Sequence, residues 1–522
     1  MQRRTFLAAA AQVAVHAATP PFEIEEVSLA DLALGLQQGR WTSRRLLELY
    51  AERIQRIDRD GPRLRAVIEM NPEAEAIAGQ LDQERKQNHS RGPLHGIPIL
   101  IKDNIDTADR MATSAGSLAL GGWHPPTDSF VAARLRAAGA LILGKTNLSE
   151  WANFRSTHSV SGWSGRGGQT RMPYAVHRNP SGSSSGSGAA VAASMCAAAI
   201  GSETDGSVVS PSSVNGLVGV KPTVGLISRA GIIPISHSQD TAGPMARTVR
   251  DAAILLSALT GVDANDAATA ASAGKTQPDY TRFLDANGLR GARLGIARKF
   301  FDKNAVMDAF LNQCIDMLKR AGAEVIDPAD LPSHGKWNDA EFEVLLYEFK
   351  ADLNAYLAKL PAARDPRTLA GLIDFNDNIG AREMPYFGQE IFHQAQEKGP
   401  LTEKKYLDAR QQCLQLTRTE GIDAVIDRYK LDAIVTLTNG PACLIDWVNG
   451  DSDTGGCSSP AAIAGYPHIT VPAGFYRGLP LGLSFFGKAW SEPVLLKLAS
   501  GFESVAQARR APKFLEGCEL PA

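Results

Sequence analysis

The sequence has little of what metal and nucleotide sites need. Only six of its 522 residues are cysteine, and no two stand at C-x-x-C spacing, which argues against a zinc site. No H-E-x-x-H motif is present, so zinc-dependent hydrolysis has no support. The glycine-rich run at residues 181–190 lacks a G-K-[ST] ending and is not a nucleotide-binding P-loop. We therefore expect no zinc site, no nucleotide bound by this run, and mostly free, buried thiols.

An excess of charge and a long apolar run are also missing. The 54 basic and 56 acidic residues nearly cancel, and no basic run is interleaved with aromatic residues, so we expect no nucleic-acid partner. The longest apolar run, residues 188–201, is interrupted by Ser194 and predicts a buried core helix. We expect no stable insertion into a membrane, and the oligomeric state stays open.

The first 18 residues differ in character from the rest. Arg3 and Arg4 form a basic start, residues 6–15 are mostly apolar, and small residues follow up to Ala17 and Ala18. This order is typical of an export signal of the twin-arginine type, cleaved near residue 18. It predicts a periplasmic or secreted protein. The alternative is an alanine-rich first helix of the mature fold.

Helical and strand-like segments alternate along the chain. Thr42 or Ser43 is expected to cap a helix with apolar residues at helical spacing, and residues 73–88 predict another helix. The run "IPILI", which ends at Lys102, is typical of a strand buried on both faces. Such alternation predicts an α/β protein with helices covering a sheet. No linker is evident, so residues 22–522 are interpreted as one domain with a more polar, helical region at 262–425.

The serine-rich run "SGSSSGSGAA" at residues 181–190 has two interpretations. By composition it is a flexible linker. However, it follows a long loop with aromatic residues, 150–187, and leads directly into an apolar segment and then "GSETDGS". A catalytic loop packed against a helix is therefore the alternative to a hinge. Limited proteolysis separates the two, because a hinge is cut near residue 185 and a packed loop resists.

No histidine of the ten stands in a recognisable catalytic motif, and the pattern G-x-S-x-G occurs only inside the serine-rich run. A buried lysine can replace histidine as a base if burial lowers its pKa. Lys102 closes the apolar strand and is the candidate. From the residues alone, a strand-end lysine that extends to solvent is an equally good interpretation.

Several blocks in order resemble the amidase signature family. They are "GIPILIKDN", "GSSSGSGAAVAAS", "GSETDGSVVSPSSVNGLVGVKPT" and "DTAGPMARTVRDAA", followed late in the chain by "AGYPHITVPAGFYRGLPLGLSFFG". The resemblance implies an α/β/α sandwich in which helices cover a large mixed sheet. Further stretches, such as "SEWANFR" and "GWSGRGGQTR", are similar to the branch of the family that removes the C-terminal amide of peptides.

The resemblance also implies a Ser-Ser-Lys triad without metal or cofactor. Lys102 corresponds to the base, Ser183 to a bridging serine preceded by a cis peptide, and Ser207 to the nucleophile. The backbone N–H groups expected to form the oxyanion hole are those of Thr204, Asp205 and Gly206. We expect Trp151, Asn153 and Phe154 to line the substrate cleft. Trp163 is a weaker candidate for the same role.

The implied activity is hydrolysis of a primary amide, most specifically the C-terminal amide of a peptide, to a carboxylate and ammonia. Small aliphatic or aryl amides, a transamidation-complex subunit and a non-catalytic binding protein are the alternatives. The sequence departs from the usual family blocks where Ser181, Ser185 and Asp205 replace glycines. Asp205 either contacts the substrate or stabilises the turn.

Overall fold

The computed structural model describes residues 22–452 and 454–518. The export signal predicted for residues 1–18 lies outside the described residues. Within them, eleven strands form one mixed sheet, and helices pack against it. The predicted α/β class with a large, helix-covered mixed sheet is confirmed.

The described part of the chain contains fifteen α-helices. They are α1 (Leu29–Gln37), α2 (Ser43–Ile54), α3 (Ala74–Lys86), α4 (Phe130–Ala137), α5 (Ser185–Ala192), α6 (Val209–Val214), α7 (Val249–Leu259), α8 (Ala305–Arg320), α9 (Asn338–Leu357), α10 (Leu369–Ile379), α11 (Glu390–Gln396), α12 (Lys404–Leu414), α13 (Asp423–Tyr429), α14 (Ser459–Ala464) and α15 (Glu492–Ala506).

Thirteen strands lie in the same described residues. They are β1 (Val67–Met70), β2 (Pro98–Lys102), β3 (Leu141–Thr146), β4 (Trp163–Ser164), β5 (Gly168–Gln169), β6 (Ala198–Glu203), β7 (Val218–Lys221), β8 (Thr241–Ala246), β9 (Arg293–Ile296), β10 (Glu324–Ile326), β11 (Ala433–Leu437), β12 (His468–Tyr476) and β13 (Leu479–Phe486). The large sheet has the order β1-β3-β2-β6-β8-β7-β12-β13-β11-β9-β10, and β4 pairs with β5 in a separate hairpin.

Strand β2 lies between two parallel neighbours, β3 and β6. Ile101 is aligned with Lys145 on one side and with Ile200 on the other. All five residues of β2 are buried, as expected for a parallel strand with both faces covered. Because β2 and β6 are parallel, their carboxyl ends, Lys102 and Glu203, lie at the same edge of the sheet.

The predicted starts of the early helices are confirmed. Thr42 caps α2, and its side chain accepts a hydrogen bond from the Arg45 backbone N–H. This contact satisfies one of the donors that a helix start leaves free. The helix predicted at residues 73–88 is α3, and the predicted strand ending at Lys102 is β2.

The prediction of one core helix over residues 188–201 is wrong. Helix α5 ends at Ala192, and strand β6 begins at Ala198. Ser194 between them has φ 54°, a left-handed conformation that does not continue a helix. A run of alanines carries no helical or alternating pattern, so periodicity alone cannot separate a buried helix from a buried strand.

The region at 262–425 is mainly helical, as predicted, but it also contributes β9 and β10 to one end of the sheet. The long loop at 150–187 contains the β4–β5 hairpin and packs its aromatic residues rather than extending into solvent. All six cysteines are free thiols, and four of them are buried. Within the described residues, every helix is too short or too polar to cross a membrane.

We predict that Leu483→Ala destabilises the fold strongly. Leu483 is fully buried in β13, where it faces Leu437 of β11 and Val471 of β12. Truncation of such a leucine leaves a cavity and lowers the free energy of unfolding by about 2–5 kcal/mol. Urea denaturation measures this change. Leu407→Ala, at a half-exposed position of α12, should change it by no more than about 0.5 kcal/mol; equal effects of both variants would contradict the described core.

Candidate active site

Lys102 and Ser183 are in direct contact. The Lys102 Nζ and Ser183 Oγ atoms are 2.7 Å apart, and both side chains are fully buried. Lys102 ends β2, and Ser183 lies two residues before α5. The Gly182–Ser183 peptide is cis, as the family resemblance implies. The serine-rich run is thus packed against the edge of the sheet and is not a linker.

Ser202 of the neighbouring strand β6 holds the same amine. Lys102 Nζ lies 3.1 Å from the Ser202 carbonyl oxygen and 2.9 Å from its Oγ. The Asn104 side chain donates a second hydrogen bond of 2.9 Å to Ser202 Oγ. The carbonyl oxygen can only accept, so it fixes one N–H of the amine, and the hydroxyl takes a second. A neutral amine held in this way directs its lone pair at Ser183.

Burial lowers the pKa of Lys102 to about 7. Removal of the ammonium from water is the dominant cause, because the charged form loses its solvation. The carboxyl groups of Asp240 and Glu203 act in the opposite direction and raise this pKa. At neutral pH a large fraction of Lys102 is therefore unprotonated and able to accept a proton.

Ser207 lies on the turn that joins β6 to α6, next to the loop that carries Ser183. Its backbone carbonyl accepts a 3.1 Å hydrogen bond from the Ser184 N–H, so the two segments are joined directly. Ser207 is 7% exposed, whereas Lys102 and Ser183 are inaccessible. Gly206 before it has φ 79°, a conformation that favours glycine. The structure thus brings the three predicted triad residues to one edge of the sheet.

Glu203 supports this turn, a role that the sequence analysis missed. One of its carboxyl oxygens, Oε2, accepts hydrogen bonds from the backbone N–H groups of Val208, at 2.7 Å, and Val209, at 3.0 Å. Burial raises the pKa of Glu203, and the charge of Lys221 nearby lowers it. An acidic residue shortly before a helix start was the available signal, because acceptors are favoured there.

Several backbone donors of the turn are free to bind a ligand. Within the described residues, the N–H groups of Asp205, Gly206 and Ser207 donate to no other group. The Thr204 hydroxyl donates to Asp240 Oδ1 over 2.6 Å and anchors the start of the turn. Unpaired N–H groups beside a nucleophile are what an oxyanion hole requires. Ser207 adds a donor that the sequence analysis did not name.

The three residues predicted to line the substrate cleft differ in their placement. Trp151 and Phe154 are buried in an apolar cluster, where Trp151 contacts Phe392 and Phe154 contacts Phe349 edge-on. Asn153 is partly exposed, and its amide donates a 3.0 Å hydrogen bond to Ser161 Oγ. The two aromatic side chains therefore pack within this apolar cluster, and Asn153 alone of the three is partly accessible.

Two histidines, His237 and His468, have carboxyl or hydroxyl partners, and neither forms a hydrogen bond with a triad residue in the described part of the chain. His237 lies between two carboxyl groups, with Nδ1 2.9 Å from Asp352 and Nε2 3.4 Å from Glu348. The contacts use both ring nitrogens, which fits a protonated imidazole better than a metal ligand. His468 is fully buried against Ser484, and burial lowers its pKa to about 3.

A stretch near the site formally matches the P-loop pattern. It is "GALILGKT" at residues 139–146, and the sequence analysis did not single it out. A P-loop wraps its backbone around phosphates, whereas residues 141–146 form the buried strand β3. Lys145 is fully buried and donates to the Ile105 carbonyl and to Thr113 Oγ1. The match is therefore part of the core and offers no phosphate site.

Comparison with known proteins identifies a single family. A family model described as Amidase matches residues 45–496. The crystal structure of a peptide amidase from Stenotrophomonas maltophilia superposes with a TM-score of 0.90 at 51% identity, covering 95% of this chain and 100% of that chain. An Arabidopsis thaliana protein described as an amidase is 44% identical, covering 95% of this chain and 93% of its own length. A Schizosaccharomyces pombe protein of the same description is 37% identical, with 94% and 87% covered.

The expected periplasmic or secreted location is corrected by these relatives. The Arabidopsis and Schizosaccharomyces relatives, which rank among the most similar curated proteins, are eukaryotic and are not proteins of a bacterial periplasm. The pattern of basic, apolar and small residues was the whole basis of that prediction, and residues 1–18 lie outside the described structure.

From the lowered pKa of Lys102 we predict how the free energy of unfolding depends on pH. An unfolded lysine keeps its proton up to about pH 10.5, whereas folded Lys102 releases it near 7, so the unfolded state binds more protons between these values. Stability from this group then rises with pH through that window. The free energy of unfolding of wild type minus that of Lys102→Met should increase by about 2 kcal/mol between about pH 7 and about pH 9.

Chemical denaturation at the two pH values measures this difference. Loss of the hydrogen bonds of Lys102 shifts the difference by a constant, so its slope with pH is the diagnostic quantity. Lys404→Met, at a position whose side chain is 86% exposed, is the control and should give a flat difference. A flat difference for Lys102→Met would mean that the buried amine keeps its proton.

Proposed function

The chain belongs to the amidase family, and we propose that it hydrolyses the C-terminal amide of peptides through an acyl-enzyme on Ser207. The observation that carries the proposal is the buried 2.7 Å contact of Lys102 with Ser183 beside the turn of Ser207. The chain is a hydrolase of amide C–N bonds, and its substrates are small molecules or peptides. The choice of peptide amides is supported by its similarity to a peptide amidase.

The proposed relay begins with the neutral amine. Lys102 Nζ accepts the hydroxyl proton of Ser183, and Ser183 Oγ takes the proton of Ser207 Oγ as that oxygen attacks the carbonyl carbon of the amide. The carbonyl oxygen becomes an oxyanion, which the free N–H groups of the turn stabilise. Each such donor typically lowers the barrier by roughly 3–4 kcal/mol.

Collapse of the tetrahedral intermediate breaks the C–N bond. The departing nitrogen takes a proton from Ser183, which is replaced by the proton held on Lys102, so ammonia leaves and an ester on Ser207 remains. Water then attacks the ester carbonyl and gives its proton to the same relay. The ester bond breaks, Ser207 regains its proton, and the peptide leaves as a carboxylate. No step needs a metal or a redox cofactor.

Removal of the proposed nucleophile should abolish ammonia release. We predict that Ser207→Ala lowers the rate of ammonia release from an amidated dipeptide at least about a thousandfold, because the acyl-enzyme no longer forms. Ammonia is measured in a coupled assay, beside the same dipeptide as a free acid and a tripeptide with only internal peptide bonds. Release from the amidated dipeptide alone supports a peptide amidase.

The matched control is Ser212→Ala. Ser212 is buried on α6, close to the same turn, and its hydroxyl has no hydrogen-bond partner among the described residues. This variant should keep wild-type activity. Equal loss in both variants would contradict a chemical role of Ser207. Release only from small aliphatic or aryl amides would keep the mechanism and replace the substrate class.

The rate should follow the ionisation of Lys102. Because the neutral amine is the base and its pKa is about 7, kcat/KM is predicted to rise with pH with a midpoint near 7. Lys102→Arg, which stays protonated, should be inactive across the range, and Lys404→Arg on the exposed face of α12 should keep the wild-type profile. Initial rates from about pH 5 to about pH 9 measure this; activity in Lys102→Arg would exclude Lys102 as the base.

A further inference from the structure

The proposed relay requires two separate chain segments to be held together. Ser183 lies in the loop before α5, and Ser207 lies on the turn before α6. Among the described residues, no hydrogen bond joins the hydroxyl groups of these two serines. The contacts between the two segments therefore set how far a proton must move from Ser207 to Ser183.

Two hydrogen bonds between the segments lie close to the reacting hydroxyls. The Ser184 N–H donates to the Ser207 carbonyl over 3.1 Å. The hydroxyl oxygens of Ser181 and Ser210 are 2.7 Å apart, and either can be the donor. On its own segment Ser183 lies between Ser181 and Ser184, which make these contacts. On the other segment Ser207 takes part in one contact and lies three residues before the other.

The backbone of Ser181 has a conformation that favours glycine. Its φ is 59°, in the left-handed region where a Cβ atom is disfavoured. The Ser181 N–H donates to Asn179 Oδ1 over 2.7 Å, and the Ser181 carbonyl accepts from the Ser185 hydroxyl over 2.6 Å. These contacts fix the backbone that carries the hydroxyl bound to Ser210. A serine in a conformation better suited to glycine points to a use for its hydroxyl group.

Ser210 is fixed on the opposite segment. Its N–H donates to the Gly206 carbonyl over 2.8 Å, so it is attached to the turn that presents the nucleophile. Ser181 and Ser210 are both partly exposed, whereas Ser183 is fully buried. A hydroxyl group both donates and accepts, so the two serines satisfy each other without a third group. The pair thus joins the two segments on their accessible side, and the relay lies on the buried side.

We propose, on the basis of the proposed function, that the Ser181–Ser210 hydroxyl pair positions the bridging serine, Ser183, against the nucleophile, Ser207. Neither hydroxyl of the pair exchanges a proton with the substrate, so both are positioning residues. Displacement of reacting groups by about 1 Å can slow a reaction roughly a hundredfold. Loss of the pair therefore slows proton transfer through Ser183, both when Ser207 attacks and when the nitrogen departs.

Removal of either hydroxyl of the pair tests the proposal. In Ser210→Ala and in Ser181→Gly, kcat for ammonia release from an amidated dipeptide should fall about tenfold, while KM stays within about twofold. Ser210→Thr keeps a hydroxyl at the same position of α6 and should restore most of the wild-type kcat. Ser212→Ala is the matched control, because Ser212 also lies on α6 and its hydroxyl has no partner among the described residues. Its kcat should equal that of wild type.

The combined variant shows whether the two hydroxyls act as one unit. Either substitution alone already breaks the contact, so Ser181→Gly together with Ser210→Ala should be no slower than the slower single variant. Two separate effects of about tenfold would multiply to about a hundredfold. That result would overturn the inference, because the hydroxyls would then act independently.

Stability separates positioning from a purely structural role. In Ser181→Gly, relief of the left-handed conformation offsets the greater freedom of glycine in the unfolded chain, so the urea midpoint should not fall. The Asn215 side chain donates to the Pro180 carbonyl over 3.0 Å and keeps the loop attached to α6 in the variants. A fall in kcat at an unchanged midpoint supports the inference. A fall in kcat that only accompanies a lower midpoint would overturn it.

An ester substrate separates the inference from the function on which it rests. p-Nitrophenyl acetate reports attack by Ser207 whatever amide the enzyme prefers, with the rate of Ser207→Ala subtracted as background. If wild type hydrolyses this ester and releases no ammonia from peptide amides, the proposed substrate fails, and a several-fold lower ester rate in Ser210→Ala still supports the pair. If wild type is active on peptide amides and both single variants keep its kcat, the inference alone is overturned. If wild type hydrolyses neither substrate, both fail.

Discussion

A lysine side chain that has no contact with water controls the chemistry of this site. Burial takes the ammonium form of Lys102 out of solvent, and two carboxyl groups nearby compensate only in part, so its pKa falls to about 7. The hydrogen bonds to Ser202 then orient the amine, so that its lone pair faces the hydroxyl group of Ser183. A more exposed lysine would stay protonated at neutral pH and could not act as a base.

The sheet order explains how these residues meet. Lys102 and Ser202 come from adjacent parallel strands, β2 and β6, which are interior strands of the sheet with both faces covered. The same strand β6 continues into the turn of Ser207, and helix α5 brings Ser183 to that edge. The fold thereby brings Lys102 into contact with Ser183, which lies 81 residues further along the chain. This agrees with the tendency of α/β proteins to build sites at the carboxyl ends of their strands.

Short sequence patterns predicted the helices and strands whose ends or burial are set by neighbouring residues. The cap of Thr42 and the continuous apolar run before Lys102 were enough to locate α2 and β2. The alanine-rich run at 188–201 was not enough to predict its own secondary structure, because small apolar residues are equally compatible with a buried helix and a buried strand. The predicted location was wrong for a similar reason, since it depended on the composition of a short terminal segment.

The two serines of the site were accessible to sequence reasoning only through the order of family blocks, whereas the apolar run alone made Lys102 a candidate base. The hydrogen bonds that the Gln239 side chain donates to Glu341 and to the Thr204 carbonyl join residues far apart in the chain, and no local pattern predicts them. Ser202 and Glu203 were missed because their roles depend on the neighbouring strand and on the start of α6. Long-range contacts of this kind are fixed by packing of the whole sheet.

The most direct test of the account is the pKa of Lys102 itself. Lysine labelled with ¹³C at Cε can be titrated by NMR in the folded protein, and the Lys102 signal is assigned by its absence in Lys102→Arg. The account predicts a midpoint near 7 for the Lys102 signal. A Lys102 midpoint near 10.5 would contradict the account, because the proposed base would then be protonated at neutral pH.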